Sequence, residues 1–172
     1  MNRKYKIGAV LFILAVGMFA FYKMYSSRAI IWHIENVDIK EIASIEVVYR
    51  ASSDGLFYAS PTSSLVGAEA YGEVLQRLEE LQYTYYADES NQTTSSKLSD
   101  RGYSFQESLS ISIYERNGES IQLCLRQNAE KKWSFMELQL YSQKGIKDRK
   151  LYKVDYNQGS QYIDWILELC NN

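Results

Sequence analysis

Apolar residues along this chain fall into three patterns, and each predicts a different element. From Ile7 to Tyr22 every position is apolar or glycine, with Arg3, Lys4 and Lys6 before the run and Lys23 after it. A helix with no polar face is one that lipid accommodates. Residues 7–22 cover about 24 Å as a helix, short of a hydrocarbon layer of about 30 Å. With Tyr5 and Tyr25 at the two interfaces and the flanking lysines snorkelling, the span reaches about 31 Å. The predicted division is a cytoplasmic tail over 1–6, a transmembrane anchor over 7–25, a juxtamembrane segment over 26–43 and an extracytoplasmic domain over 44–172. Residues 29–36, apolar with Trp32 and His33, read as juxtamembrane chain or a first short extended piece, and 38–43 as one helical turn.

The second pattern alternates. Ile45, Val47 and Tyr49 oppose Glu46, Val48 and Arg50, as in a half-buried strand. Ser52 to Gly55 makes a turn, and residues 56–60 pair back until Pro61. Residues 83–87 are aromatic and extended. Leu109, Ile111 and Ile113 alternate with Ser108, Ser110, Ser112 and Tyr114, and Asn117-Gly118 supplies a hairpin turn into residues 120–126. Further strands lie over 133–141 and 150–156, completing a four-stranded meander.

The third pattern has helical spacing. Ala70, Val74, Leu75, Leu78 and Leu81 share one side, opposite Glu69, Glu73, Arg77 and Glu80, with Ser63 or Ser64 as the cap. Ile163, Ile166, Leu167 and Cys170 form the stripe of a last helix, capped by Ser160. Between helix and meander, residues 88–102 carry Leu98 as their one large apolar residue; the composition predicts a mobile loop. The fold class is α+β: strand, helix, antiparallel meander, helix, with both helices on one sheet face.

Charge sharpens the division. Five of the 19 basic residues and none of the 21 acidic ones lie within 1–28, leaving 14 against 21, a formal −7, on residues 29–172. The basic bias before the run puts the N-terminus inside and the acidic domain outside. A signal peptide would need small residues at its cleavage site; Met18 is too large for one ending at Ala20, and Ser27 and Ala29 lie beyond Lys23. No cysteine stands after the run for lipidation. An acidic domain repels nucleic acid. Cys124 lies on the strand face opposite Leu123 and Leu125 while Cys170 belongs to a helix stripe, so the two point apart.

This order of elements resembles the fold of the TATA-box-binding protein, as architecture only; the charge contradicts DNA binding. A second resemblance rests on Ile45-Glu46-Val47-Val48-Tyr49, Gly102-Tyr103-Ser104-Phe105, Ile111-Ser112-Ile113-Tyr114 through Asn117-Gly118, and Leu151-Tyr152-Lys153-Val154. Over residues 44–170 the chain is similar to small exported domains of unknown function in Gram-positive bacteria. The likeness implies fold and compartment and carries no catalytic residue across.

His33 is the lone histidine, next to the anchor, which excludes a serine-histidine triad, a cysteine-histidine pair in the domain and any multi-histidine metal site. No phosphate-cradling glycine run, nucleophile elbow or calcium loop is present, so no cofactor is implied. Thr94 to Lys97 matches a hydroxyl-lysine spacing in a polar loop without further motifs, and Asn91-Gln92-Thr93 is a glycosylation pattern. Glu46, Glu107, Glu115 or Glu137 offer carboxylates for a hydrolase acting on envelope polymers, the alternative reading. The better candidate is a binding surface on the helix-free face: Ser108, Ser110, Ser112 and Tyr114 beside Gln122 and Arg126. The function this favours is a membrane-tethered extracytoplasmic interaction domain, not an enzyme, whose partners are the membrane and another protein at its outer face.

Overall fold

The computed structural model describes residues 3–53, 56–88, 98 and 103–171. Most of the predicted loop 88–102, its Thr94 to Lys97 and Asn91 motifs, Asp54-Gly55 and the first two residues lie outside these.

Helix α1 (Arg3–Glu35) is followed by a 3-10 turn (Ile39–Glu41) and strands β1 (Ile42–Ser53), β2 (Leu56–Ala59) and β3 (Ser63–Leu65). Helix α2 (Ala68–Glu79) and β4 (Tyr83–Asp88) come next. Then β5 (Glu107–Glu115), β6 (Ser120–Asn128), β7 (Trp133–Ser142) and β8 (Gly145–Val154) form the meander, and α3 (Tyr156–Asn171) ends the chain. The class is α+β, built on an eight-stranded antiparallel sheet in the order β2-β1-β5-β6-β7-β8-β4, with β3 also paired to β1. The aromatic segment 83–88 is therefore an edge strand that crosses the whole meander to pair with β8.

Alternation sorts the sheet into two faces. Ile45 and Val47 of β1, Leu109, Ile111 and Ile113 of β5, Ile121, Leu123 and Leu125 of β6, Met136 and Leu138 of β7, and Tyr152 and Val154 of β8 form one buried face. Tyr71, Val74, Leu75 and Leu78 of α2 and Tyr162, Ile163 and Ile166 of α3 cover it. A third helix joins them. Ile30 and Ile34 of α1 are 0% and 1% exposed in the same core, followed by Val37. Residues 29–35 are thus the end of one unbroken helix and part of the core, where the sequence suggested juxtamembrane chain or a short extended piece. The reason is spacing: Ile30 and Ile34 are one turn apart and so fall on one side of the helix that runs unbroken from Arg3.

The helix also protects a sheet edge. The Tyr85 backbone N–H of edge strand β4 donates to Ser27 Oγ at 2.9 Å, and Tyr22 meets Tyr85 edge-to-face at 6.0 Å. An edge amide is thereby satisfied within the chain.

Cap assignments shift. Ser63 and Ser64 lie in β3, and α2 starts after Gly67 with no side-chain cap. Tyr156 opens α3 rather than closing β8, and Asp155 Oδ1, not Ser160, accepts the Gln158 N–H at 3.0 Å. Asp38 likewise accepts from Lys40 N–H at the 3-10 turn. The Asn117-Gly118 hairpin forms, but as a three-residue loop over 116–118 closed by Glu115 and Glu119, with Gly118 at φ 84° and Asn117 not at positive φ, in place of the favoured two-residue turn.

At the start of α3, Gly159 lies against the buried Gln127 and Ser134 of the sheet, and a Cβ there would stand 2.2 Å from the terminal amide of Gln127 and 2.9 Å from Ser134 Oγ. The Gln127 amide donates to Glu107 Oε1 at 3.2 Å and accepts from Ser160 N–H at 3.0 Å and Ser134 Oγ at 3.1 Å, so it has nowhere to retreat. Gly159→Ala is expected to lower stability by about 1–3 kcal/mol, read as a reduced urea midpoint with an unchanged slope.

Candidate functional site on the helix-free face

The strand register gathers the six predicted binding residues on the face away from the helices. Ser108 stands opposite Arg126, Ser110 opposite Cys124, Ser112 opposite Gln122, and Tyr114 opposite Ser120. Ser108 is buried and the other five are half-buried. On the far side of β6, Cys124 faces Glu137, Gln122 faces Gln139 and Ser120 faces Tyr141. Both cysteines are free thiols, and burial pushes the Cys124 thiol up.

The centre of this face is a carboxylate that the sequence pattern leaves among solvated strand residues. Glu137 is 1% exposed. Arg126 Nη1 lies 2.7 Å from its Oε2, Arg149 Nε lies 3.5 Å from its Oε1, and Gln139 Nε2 donates to Oε1 at 2.6 Å. Arg126 pairs directly with Phe135, so Glu137 is its diagonal neighbour, within reach of a long side chain. Each arginine side chain is only 14% exposed, so two guanidiniums and one carboxylate share a largely dry site. Arg126 also lies over Phe105, 5.8 Å from the ring centre, and Arg50 reaches Ser110 Oγ at 3.4 Å. The only clue in the sequence was an alternation that places Glu137 on the same face as Arg126, without saying which neighbours would bury it.

The other half of the face is covered. Leu98 is 1% exposed, packed with Phe135 and Leu151 among Tyr86, Tyr103 and Trp133. Tyr103 and Tyr86 meet Phe135 edge-to-face at 5.0 and 5.2 Å, and Tyr103 N–H donates to the Leu98 carbonyl. The lone apolar residue of the polar segment thus caps a second, small core.

The carboxylates proposed for a hydrolase do not converge. Glu46 and Glu137 share the face but lie on β1 and β7, three strands apart, or about 14 Å. Paired glycosidase carboxylates stand about 5–9.5 Å apart. Glu107 is on the helix side, accepting from Tyr49 Oη at 2.9 Å, and Glu115 accepts from Asn117 in the hairpin. Among the described residues no three histidine, cysteine or acidic side chains group as a metal site. His33 meets Trp32 edge-to-face at 4.9 Å; burial, then the Lys150 charge, lowers its pKa against an opposing pull from Asp148.

Comparison with protein-family models, with curated proteins and with solved structures finds no match to this chain.

Two measurements probe these sites. Glu137→Ala leaves two guanidiniums facing each other and should cost about 3–5 kcal/mol in urea unfolding, whereas replacing Glu137, Arg126 and Arg149 together by Met should restore most of the loss. The Tyr49 phenol is pushed up to about 12 by burial, the Glu107 hydrogen bond and charge, and Asp164. An unfolded tyrosine ionises near about 10, so this contribution is intact below that pH and is lost as pH rises toward the folded value. Tyr49→Phe should flatten the fall in urea midpoint between about pH 10 and 12.

Proposed function

We propose that this protein is a membrane-tethered, extracytoplasmic interaction module without catalytic activity, which presents its serine- and arginine-bearing sheet face to a protein partner at the outer surface. One observation carries the reading: α1 is a single helix with two environments. Phe12, Ile13, Leu14, Val16, Met18, Phe19, Phe21 and Tyr22 are each more than half exposed, on every side of the helix, while Ile30 and Ile34 are buried in the domain core. Water disfavours such a display at roughly 25 cal/mol per Å², and a bilayer removes that cost.

Among the described residues no helix is long and apolar enough to cross a membrane. The exposed stretch Phe12 to Tyr22 covers about 16 Å, and the sequence continues it back to Ile7. The basic residues at 3, 4 and 6 favour an N-terminus inside. No specific observation favours the hydrolase reading.

The full-length chain should stay with membranes through carbonate extraction and keep a mass starting at Met1, and Leu14→Arg with Met18→Arg should release it, each arginine costing about 2.5–3.5 kcal/mol in the bilayer. Release of the wild type would reject the anchor. For the face, crosslinking in intact cells should capture a defined partner that Tyr114→Ala with Gln122→Ala loses at unchanged melting temperature; equal capture would reject it.

A further inference from the structure

One side of α1 changes character along its length in the order in which a phospholipid does. Positions 14, 18, 21, 25, 28, 32 and 35 succeed one another at spacings of four and three and so share one side of the helix. They read Leu, Met, Phe, Tyr, Arg, Trp and Glu. Leu14, Met18, Phe21, Tyr25 and Trp32 are all more than half exposed. From Leu14 to Arg28 the helix rises about 21 Å. One leaflet has that thickness, about 15 Å of hydrocarbon and about 5–7 Å of headgroup.

At the outer end of this track lies an open groove of about 740 Å³, whose lining includes Tyr25, Arg28, Trp32, His33, Glu35 and Lys150. Tyr25 and Trp32 are the aromatic types that settle at headgroup level. Arg28 is nearest the anchor, and among the described residues no carboxylate pairs with it. Lys150 adds a second cation, itself 2.9 Å from Asp148. Two helical turns beyond Arg28, Glu35 forms an acidic corner with α2, where burial and then the Glu35 and Glu80 charges raise the Glu79 carboxyl. Arg28 inside and Glu35 outside mirror a headgroup with phosphate inside and ammonium outside, while Lys150 lies by His33, whose titration its charge affects. A domain carrying −7 disfavours an anionic headgroup instead.

We propose that this groove seats the headgroup of one aminophospholipid, its phosphate on Arg28, its ammonium toward Glu35, and its acyl chains along Leu14, Met18 and Phe21. The proposal rests on the membrane-anchored reading above. It assigns the lipid a positioning role, fixing the tilt and rotation of a domain that is joined to its anchor without a hinge.

Native mass spectrometry of the full-length chain, purified from membranes in mild detergent and supplied with phosphatidylethanolamine or phosphatidylglycerol, tests it. Wild type should retain phosphatidylethanolamine in preference. Arg28→Gln should lower that retention about tenfold, the loss of one charge-assisted hydrogen bond, and Glu35→Gln should abolish the preference while leaving phosphatidylglycerol retention unchanged. Both side chains are exposed, so neither change removes core packing. Equal retention of the two lipids by wild type, or wild-type retention by both variants, overturns the lipid site alone when the chain resists carbonate. A wild type that carbonate releases overturns the anchored reading and the lipid site with it.

Discussion

The structure depends on burying one face of an antiparallel sheet. Alternation on β1, β5, β6, β7 and β8 produces an apolar face too broad for two short amphipathic helices to cover. α2 and α3 lie on it, and the last turns of α1 complete the cover by inserting Ile30 and Ile34. This third contribution joins the exposed apolar length of α1 to the domain. A helix packed into the core at one end cannot swivel freely at the other, so the exposed length of α1 and the domain move together.

The opposite face is organised by electrostatics in a dry place. Glu137 neutralises one of two flanking guanidiniums, and the cluster is bordered by serines on one side and by the aromatic core under Leu98 on the other. Desolvated charges of this kind add little net stability when paired and cost much when one is removed. They do hold side-chain positions tightly. A surface with fixed arginines, serines and tyrosines suits specific recognition better than a solvated sheet face with freely moving side chains.

The strands and amphipathic helices were legible because each obeys a local period. β5 and β6, their Asn117-Gly118 turn, and the buried stripe of α2 all arise from spacings within ten residues. Ser63 and Ser64 misled because a capping residue and a strand residue look alike when the choice depends on β1 lying alongside. Leu98 looked like an incidental apolar residue in a polar segment. Its burial depends on Phe135 and Leu151, which are nearly 40 residues or more away in sequence.

By itself the sequence determined the run of apolar residues at Ile7 to Tyr22, the acidic character of residues 29–172, the two faces of the meander and the grouping of Ser108, Ser110, Ser112, Tyr114, Gln122 and Arg126 on one of them. Those are properties of composition and of the strand repeat, which act over short distances. Only the tertiary structure decided that β4 closes the sheet beside β8, that Ile30 and Ile34 belong to the core, and that Glu137 is enclosed by Arg126 and Arg149. Each of these is a choice of neighbour between segments far apart in the chain. Hydrophobic burial is non-directional and leaves such choices to the packing of the whole.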